Sequence, residues 1–373
     1  NRKGMPTLNF RIDGQELEVR QSDPYNRGLL WPQRFAVTLC GERDSVWRVN
    51  MTDTLVRIQL PFVPSLVLPN TDGRGYGLFV PDESALKWLL AHWWEVKDDT
   101  ARQSLLMTLY ENYLAKHISA DDWTNSLLAG LPAEKNALVA STVSGYLAGA
   151  MRRVAPAQIA EVEVRVYAIS RNHPLPSCRV QLLRYFMQNA TSQPMVKELY
   201  ALWQEQSDKR LNQQDYTTLA YELAIRLPAE SEQILRTQRA RIDDPDRLRQ
   251  FDFISRSVIS DTARLDTLFN SLLVAENRRI EPWTAAVIRY LNHPLREEQS
   301  VKYIRPGLEV LEEVQRTGDI FFPKNWASAL LGNHLSRPAY EEVVRFLDGH
   351  PDYSPLLKNK ILQAAYSLYR END

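Results

Sequence analysis

From the start of the chain to about Pro81, apolar residues recur at every second position. Leu8, Phe10 and Ile12 alternate with Asn9 and Arg11, and Leu17 and Val19 alternate with Glu16, Glu18 and Arg20. Phe35, Val37 and Leu39 repeat the pattern, as do Val56, Ile58 and Leu60. A period of two places one face of a strand on a core and the other in water. Asp13-Gly14 separates the first two runs and predicts a tight hairpin that uses positive φ. Several short strands broken by Pro and Gly predict a β-sandwich of about 80 residues.

Beyond Asp82 the period becomes helical. Leu105, Leu106, Leu109 and Tyr113 follow it, as do Val196, Leu199 and Trp203, and then Leu265, Leu268, Phe269 and Leu272. Asp82, Asp98 and Ser119 are predicted amino-terminal caps, because a short polar side chain can accept the free N–H groups of a first turn. Pro132, Pro174, Pro228, Pro294 and Pro323 are predicted stops. This gives about fifteen helices, with no strand among them. So many amphipathic helices bury their stripes best by stacking pairwise, which favours a curved, superhelical HEAT- or armadillo-like array. Asn172-His173-Pro174-Leu175 and Asn292-His293-Pro294-Leu295 are an internal echo of this kind. The expected organisation is a β-sandwich over 1–83 followed by an α-helical domain over 84–373.

Composition narrows the function classes. The 373 residues carry 45 basic and 46 acidic side chains, a net charge of −1, without the basic excess that binding to nucleic acid uses. Cys40 and Cys178 are the two cysteines, placed by this reading in different domains. They make neither a disulfide framework nor a Cys-rich metal site, which suits cytoplasmic and extracytoplasmic residence alike. No run of about 18 apolar residues predicts a membrane span. The first residue is Asn1 and no signal-like segment follows, so a trimmed chain is expected.

Catalytic patterns are missing. The histidines are His92, His117, His173, His293, His334 and His350, none followed by Glu and no two of them three or four apart. The His-Glu-x-x-His arrangement, which puts two imidazoles and a carboxylate on one helix face, is therefore absent. His92 and Glu95 share a face at i,i+3 but flank Trp93-Trp94, which predicts a partly buried His beside aromatic rings. His173 and His293 precede prolines at helix ends, where contacts to carbonyl groups are expected. No Gly-x-Ser-x-Gly occurs and neither Cys has a nucleophile's setting. Gly73, Gly75 and Gly77 have the wrong spacing for a phosphate loop and predict a turn into the last strand. Asp98-Asp99, Asp121-Asp122 and Asp243-Asp244 each open a helix, and the mixed charges from Arg236 to Arg249 predict a solvated face. Binding of a peptide carboxylate by an arginine of the helical domain stays open. The sequence assigns no residue to catalysis, a cofactor or a metal.

Three stretches resemble the carboxy-terminal portion of gluzincin aminopeptidases, the alanyl aminopeptidase-like family. Lys3-Gly4-Met5-Pro6 with Leu30-Trp31-Pro32 is similar to the family's β-sandwich domain. Leu66 to Asp82, with Leu68-Pro69-Asn70, Gly75-Tyr76-Gly77 and Val80-Pro81-Asp82, resembles its last strands and the junction with the helical domain. The most specific is the dodecapeptide from Gln315 to Trp326, Gln-Arg-Thr-Gly-Asp-Ile-Phe-Phe-Pro-Lys-Asn-Trp, which is similar to a late segment of many bacterial members. Asn292 to Arg296 and Tyr303-Ile304 extend the likeness nearly to the end.

In that family the zinc motif, its third ligand and the Gly-rich exopeptidase motif lie in an upstream thermolysin-like domain that this chain lacks. The resemblance therefore implies a non-enzymatic role: the helical domain encloses the peptide chamber and gates access, the sandwich links it to the catalytic domain, and zinc belongs to that missing domain. Implied partners are the catalytic domain and peptide substrates. A stand-alone helical-repeat module that binds protein or peptide is the alternative, and a relative whose catalytic domain has lost zinc is a third. Just before the dodecapeptide, Leu308, Leu311 and Val314 predict a helix stripe; within it Gly318 is the predicted end of that helix, and Phe321-Phe322-Pro323 a wedge packed into the next helix pair.

Overall fold

The structure, a computed structural model, describes residues 4–372. Lys3, first residue of one of the family-like stretches, lies outside them. The amino-terminal part is a sandwich-like pair of sheets built from β1 (Thr7–Asp13), β2 (Glu16–Ser22), β3 (Gln33–Cys40), β4 (Ser45–Met51), β5 (Leu55–Gln59), β6 (Leu66–Leu68) and β7 (Leu78–Val80). One sheet has the order β5-β2-β1-β7 and the other β4-β3-β6. All pairs are antiparallel except β1 with β7.

The alternation read from the sequence is the alternation of the core. Leu8, Phe10, Leu17 and Val19 of one sheet meet Phe35, Val37, Leu39, Val49, Met51 and Val67 of the other. Phe35 sits between the two sheets, edge-on to Phe79 at 5.1 Å and to Phe10 at 6.1 Å. In the first hairpin the loop is Gly14-Gln15, between the Asp13–Glu16 pair, and only Gly14 takes a positive φ, +58°. Asp13 is thus the last strand residue rather than a turn residue, and the glycine occupies the first central position. β4 has no counterpart in the sequence reading. Its neighbours Val46 and Trp47 are both apolar and both exposed, which hides the period of two.

Helices follow from Glu83 onward: α1 (Glu83–His92), α2 (Asp99–Leu114), α3 (Ala120–Gly130), α4 (Ala137–Met151), α5 (Ile159–Asn172), α6 (Pro176–Asn189) and α7 (Gln193–Glu205). Asp82, Asp98 and Ser119 accept backbone N–H groups at the starts of α1, α2 and α3. The chain divides into two compact units between Met195 and Val196, within α7, so the strands and the first six helices belong to one unit. Within it α2 lies on the sheets. Ser104 and Asn112, two turns apart on one face of α2, donate to the carbonyls of Asn70 at 2.5 Å and Phe79 at 2.7 Å, and Thr108 between them accepts from Asn112 at 2.8 Å. Asn112→Ala is expected to destabilise by about 1–3 kcal/mol, since it leaves the buried Phe79 carbonyl unpaired. Urea denaturation measures this, and a loss below about 0.5 kcal/mol would contradict the contact.

The second unit contains α8 (Gln213–Arg226), α9 (Ser231–Ala240), α10 (Pro245–Ile254), α11 (Thr262–Leu272), α12 (Glu281–Leu291), α13 (Glu297–Ser300), α14 (Ile304–Glu309), α15 (Leu311–Thr317), α16 (Phe322–Leu331), α17 (Arg337–Gly349), α18 (Pro355–Ala364) and α19 (Tyr366–Asn372). Helices pack on their sequence neighbours and on the helix after next: α8 on α9, α10 on α12 and α16 on α18, as α4 packs on α6 in the first unit. The stripe of Leu308, Leu311 and Val314 is fully buried but divided between α14 and α15 at Val310. Pro323 corrects an expectation. It lies in the first turn of α16, where its missing N–H costs nothing, and Gly318 is the stop before it.

Candidate functional site

The residues singled out for chemistry are dispersed and engaged locally. His92 Nδ1 lies 3.0 Å from Glu95 Oε1, with its ring stacked on Trp88 at 5.4 Å, and both partners are substantially exposed. His173 and His293 play one structural part twice. In each, Nδ1 accepts the backbone N–H two residues on, from Leu175 at 3.1 Å and Leu295 at 3.2 Å, which places the ring hydrogen on Nε2. His173 donates that hydrogen to the Leu131 carbonyl, and His293 to Glu222. His117 contacts the Asn112 side chain, His334 the Asn292 side chain and His350 the Phe346 carbonyl. Among the described residues no group of three or more His, Cys, Asp and Glu side chains is arranged to hold a metal ion.

The cysteines are both free, Cys40 on β3 and Cys178 on α6. Burial, with the Asp44 charge added, pushes the Cys40 thiol up to about 11, and burial raises Cys178 as well. Neither is poised as a thiolate. Gly73 and Gly77 have positive φ in the turn that enters β7. A Cβ on Gly77 would stand 2.4 Å from Leu8 Cδ1 and 2.8 Å from the Pro6 carbonyl, so the residue is needed where β7 joins β1. The Arg236–Arg249 stretch is only partly a solvated face. Arg239 pairs with Asp252 and Arg249 with Asp246 on the surface, but Arg241 donates to the Trp203 and Gln204 carbonyls and covers the Trp203 ring at 4.8 Å. That guanidinium closes the end of α7.

Three residues of the dodecapeptide, Thr317, Gly318 and Phe322, border a cavity. It has a volume of about 300 Å³ and lies between the turn before α12 and the turn from α15 into α16, lined by Ala275, Glu276, Arg278, Arg279, Glu281, Thr317, Gly318 and Phe322. The second turn is held tightly. Asp319 Oδ1 accepts the N–H groups of Phe321 at 2.6 Å and Phe322 at 2.9 Å, and the Asp319 N–H donates to Glu281 Oε1 at 2.9 Å. Gly318 is required by close approach, since a Cβ there would stand 2.5 Å from Phe322 Cδ1 and 2.9 Å from Glu281 Oε1. Arg278 forms the wall. It is buried, donates to the Leu272 and Leu273 carbonyls and to Glu313, and leaves its Nε without a partner. Arg279 beside it is exposed.

The expected wedge is half right. Phe322 and Pro323 are buried, and Trp326 is buried behind them with its indole N–H on the Gly307 carbonyl at 2.8 Å. Phe321, in contrast, is 67% exposed and Ile320 is 81% exposed. Val274 and Ile280, on the facing turn, are about half exposed. The cavity wall thus combines the Arg278 and Arg279 guanidinium groups with the Glu276 and Glu281 carboxylates, and it contains no paired nucleophile and base.

In comparisons with known proteins, no family model and no curated protein matches this chain. Among the described residues no helix is long and apolar enough to cross a membrane.

Proposed function

We propose that the chain is the non-catalytic carboxy-terminal part of a gluzincin-type zinc aminopeptidase, in which a HEAT-like array of helices encloses the peptide chamber. The observation that carries this reading is the dodecapeptide Gln315–Trp326, whose sequence resembles the family's and whose turn presents two large apolar side chains to solvent. Exposing Ile320 and Phe321 gives the fold little in return, because the hydrophobic effect rewards only buried area. A turn fixed by hydrogen bonds to Asp319 and Glu281 nevertheless holds them outward. Such preorganised apolar groups suit contact with a passing peptide, since little freedom is lost on binding. The order of a sheet region before stacked helix pairs also agrees with the family's arrangement. Zinc and the bond-breaking water belong, on this reading, to a domain outside these residues.

The test joins this chain to the polypeptide encoded upstream of it and assays amino-terminal release from peptides of increasing length. Zinc-dependent release is expected, with a length preference that shifts several-fold when Ile320 and Phe321 are both replaced by serine. The melting temperature should move little, because exposed substitutions typically cost under about 0.5 kcal/mol. An upstream sequence without His-Glu-x-x-His, or a length preference indifferent to the double substitution, overturns the reading.

A further inference from the structure

We draw no further inference here: the strongest candidate, the cavity of about 550 Å³ between the junction of α14 with α15 and the turn after α17, where Glu309, Glu312 and Asp352 stand beside the rings of Phe346, His350 and Tyr353, is an acidic cluster on an aromatic wall, and nothing in the structure shows what it would hold.

Discussion

Glu134→Ala is expected to cost about 2–4 kcal/mol of folding stability, read as a lowered denaturation midpoint in urea. Arg102 Nε and Nη2 meet the two oxygens of Glu134 at 2.6 and 2.9 Å, and the two side chains are 8% and 1% exposed. The same guanidinium donates to the Val96 carbonyl, and Glu134 accepts the Asn136 N–H, so one pair ties α2 to the turn before α4. The bonds to Glu134 outweigh the effect of burial and raise the pKa of Arg102 further. Removing the carboxylate breaks two charged hydrogen bonds in a buried setting and leaves the guanidinium with Asp99, a half-exposed carboxylate 2.6 Å from Nη2, as its one ion-pair partner. The double replacement Arg102→Met with Glu134→Leu should cost much less, because it removes both charges and keeps apolar volume. A Glu134→Ala loss below about 1 kcal/mol would mean that the pair is not shielded from water.

Stability should also fall as the solution is acidified through the range in which Glu297 takes up its proton. Burial alone would raise this carboxyl. The His334 ring and the N–H groups of Ser336 and Leu335 outweigh burial and hold it at about 2, against an ordinary value of 4.5. Both N–H groups donate to Oε1 at 2.6 Å, which makes Glu297 of α13 the acceptor at the start of α17, while His334 Nδ1 stands 3.7 Å away. Because the folded-state value lies below the unfolded one, the contribution is complete above pH 4.5 and is lost as pH falls from there toward 2. At about 1.4 kcal/mol per pKa unit the effect is on the order of 3 kcal/mol. Glu297→Gln should lose that amount at pH 7 and flatten the stability profile between pH 4.5 and pH 2. Thermal melts across that range measure it, and an unchanged slope in the variant would refute the assignment.

Local rules made much of the chain legible. The caps at Asp82, Asp98 and Ser119 need only a short polar side chain before a helical stripe, and all three accept the expected N–H groups. The paired Asn-His-Pro-Leu segments also announced a shared job, and the two imidazoles do accept the same N–H. What stayed hidden depended on neighbours far along the chain. On α2 the polar residues Ser104 and Asn112 are buried, because the carbonyls of Asn70, in the turn after β6, and of Phe79, in β7, supply their partners. Ile320 and Phe321 look like core and stand in water, because Asp319 and Glu281 fix the turn that carries them.

The sequence by itself determined where the chain changes from strand to helix, since side chains alternate every second residue in one element and every 3.6 in the other, whatever lies around them. It also determined the caps, and the absence of a His-Glu-x-x-His helix. The tertiary structure alone decided which polar stripe is covered, which phenylalanine is exposed, and that β7 ends before β1 does. Those outcomes depend on where distant segments place their backbone groups. A buried N–H or carbonyl takes its partner from whatever segment arrives beside it, and no local pattern encodes that arrival.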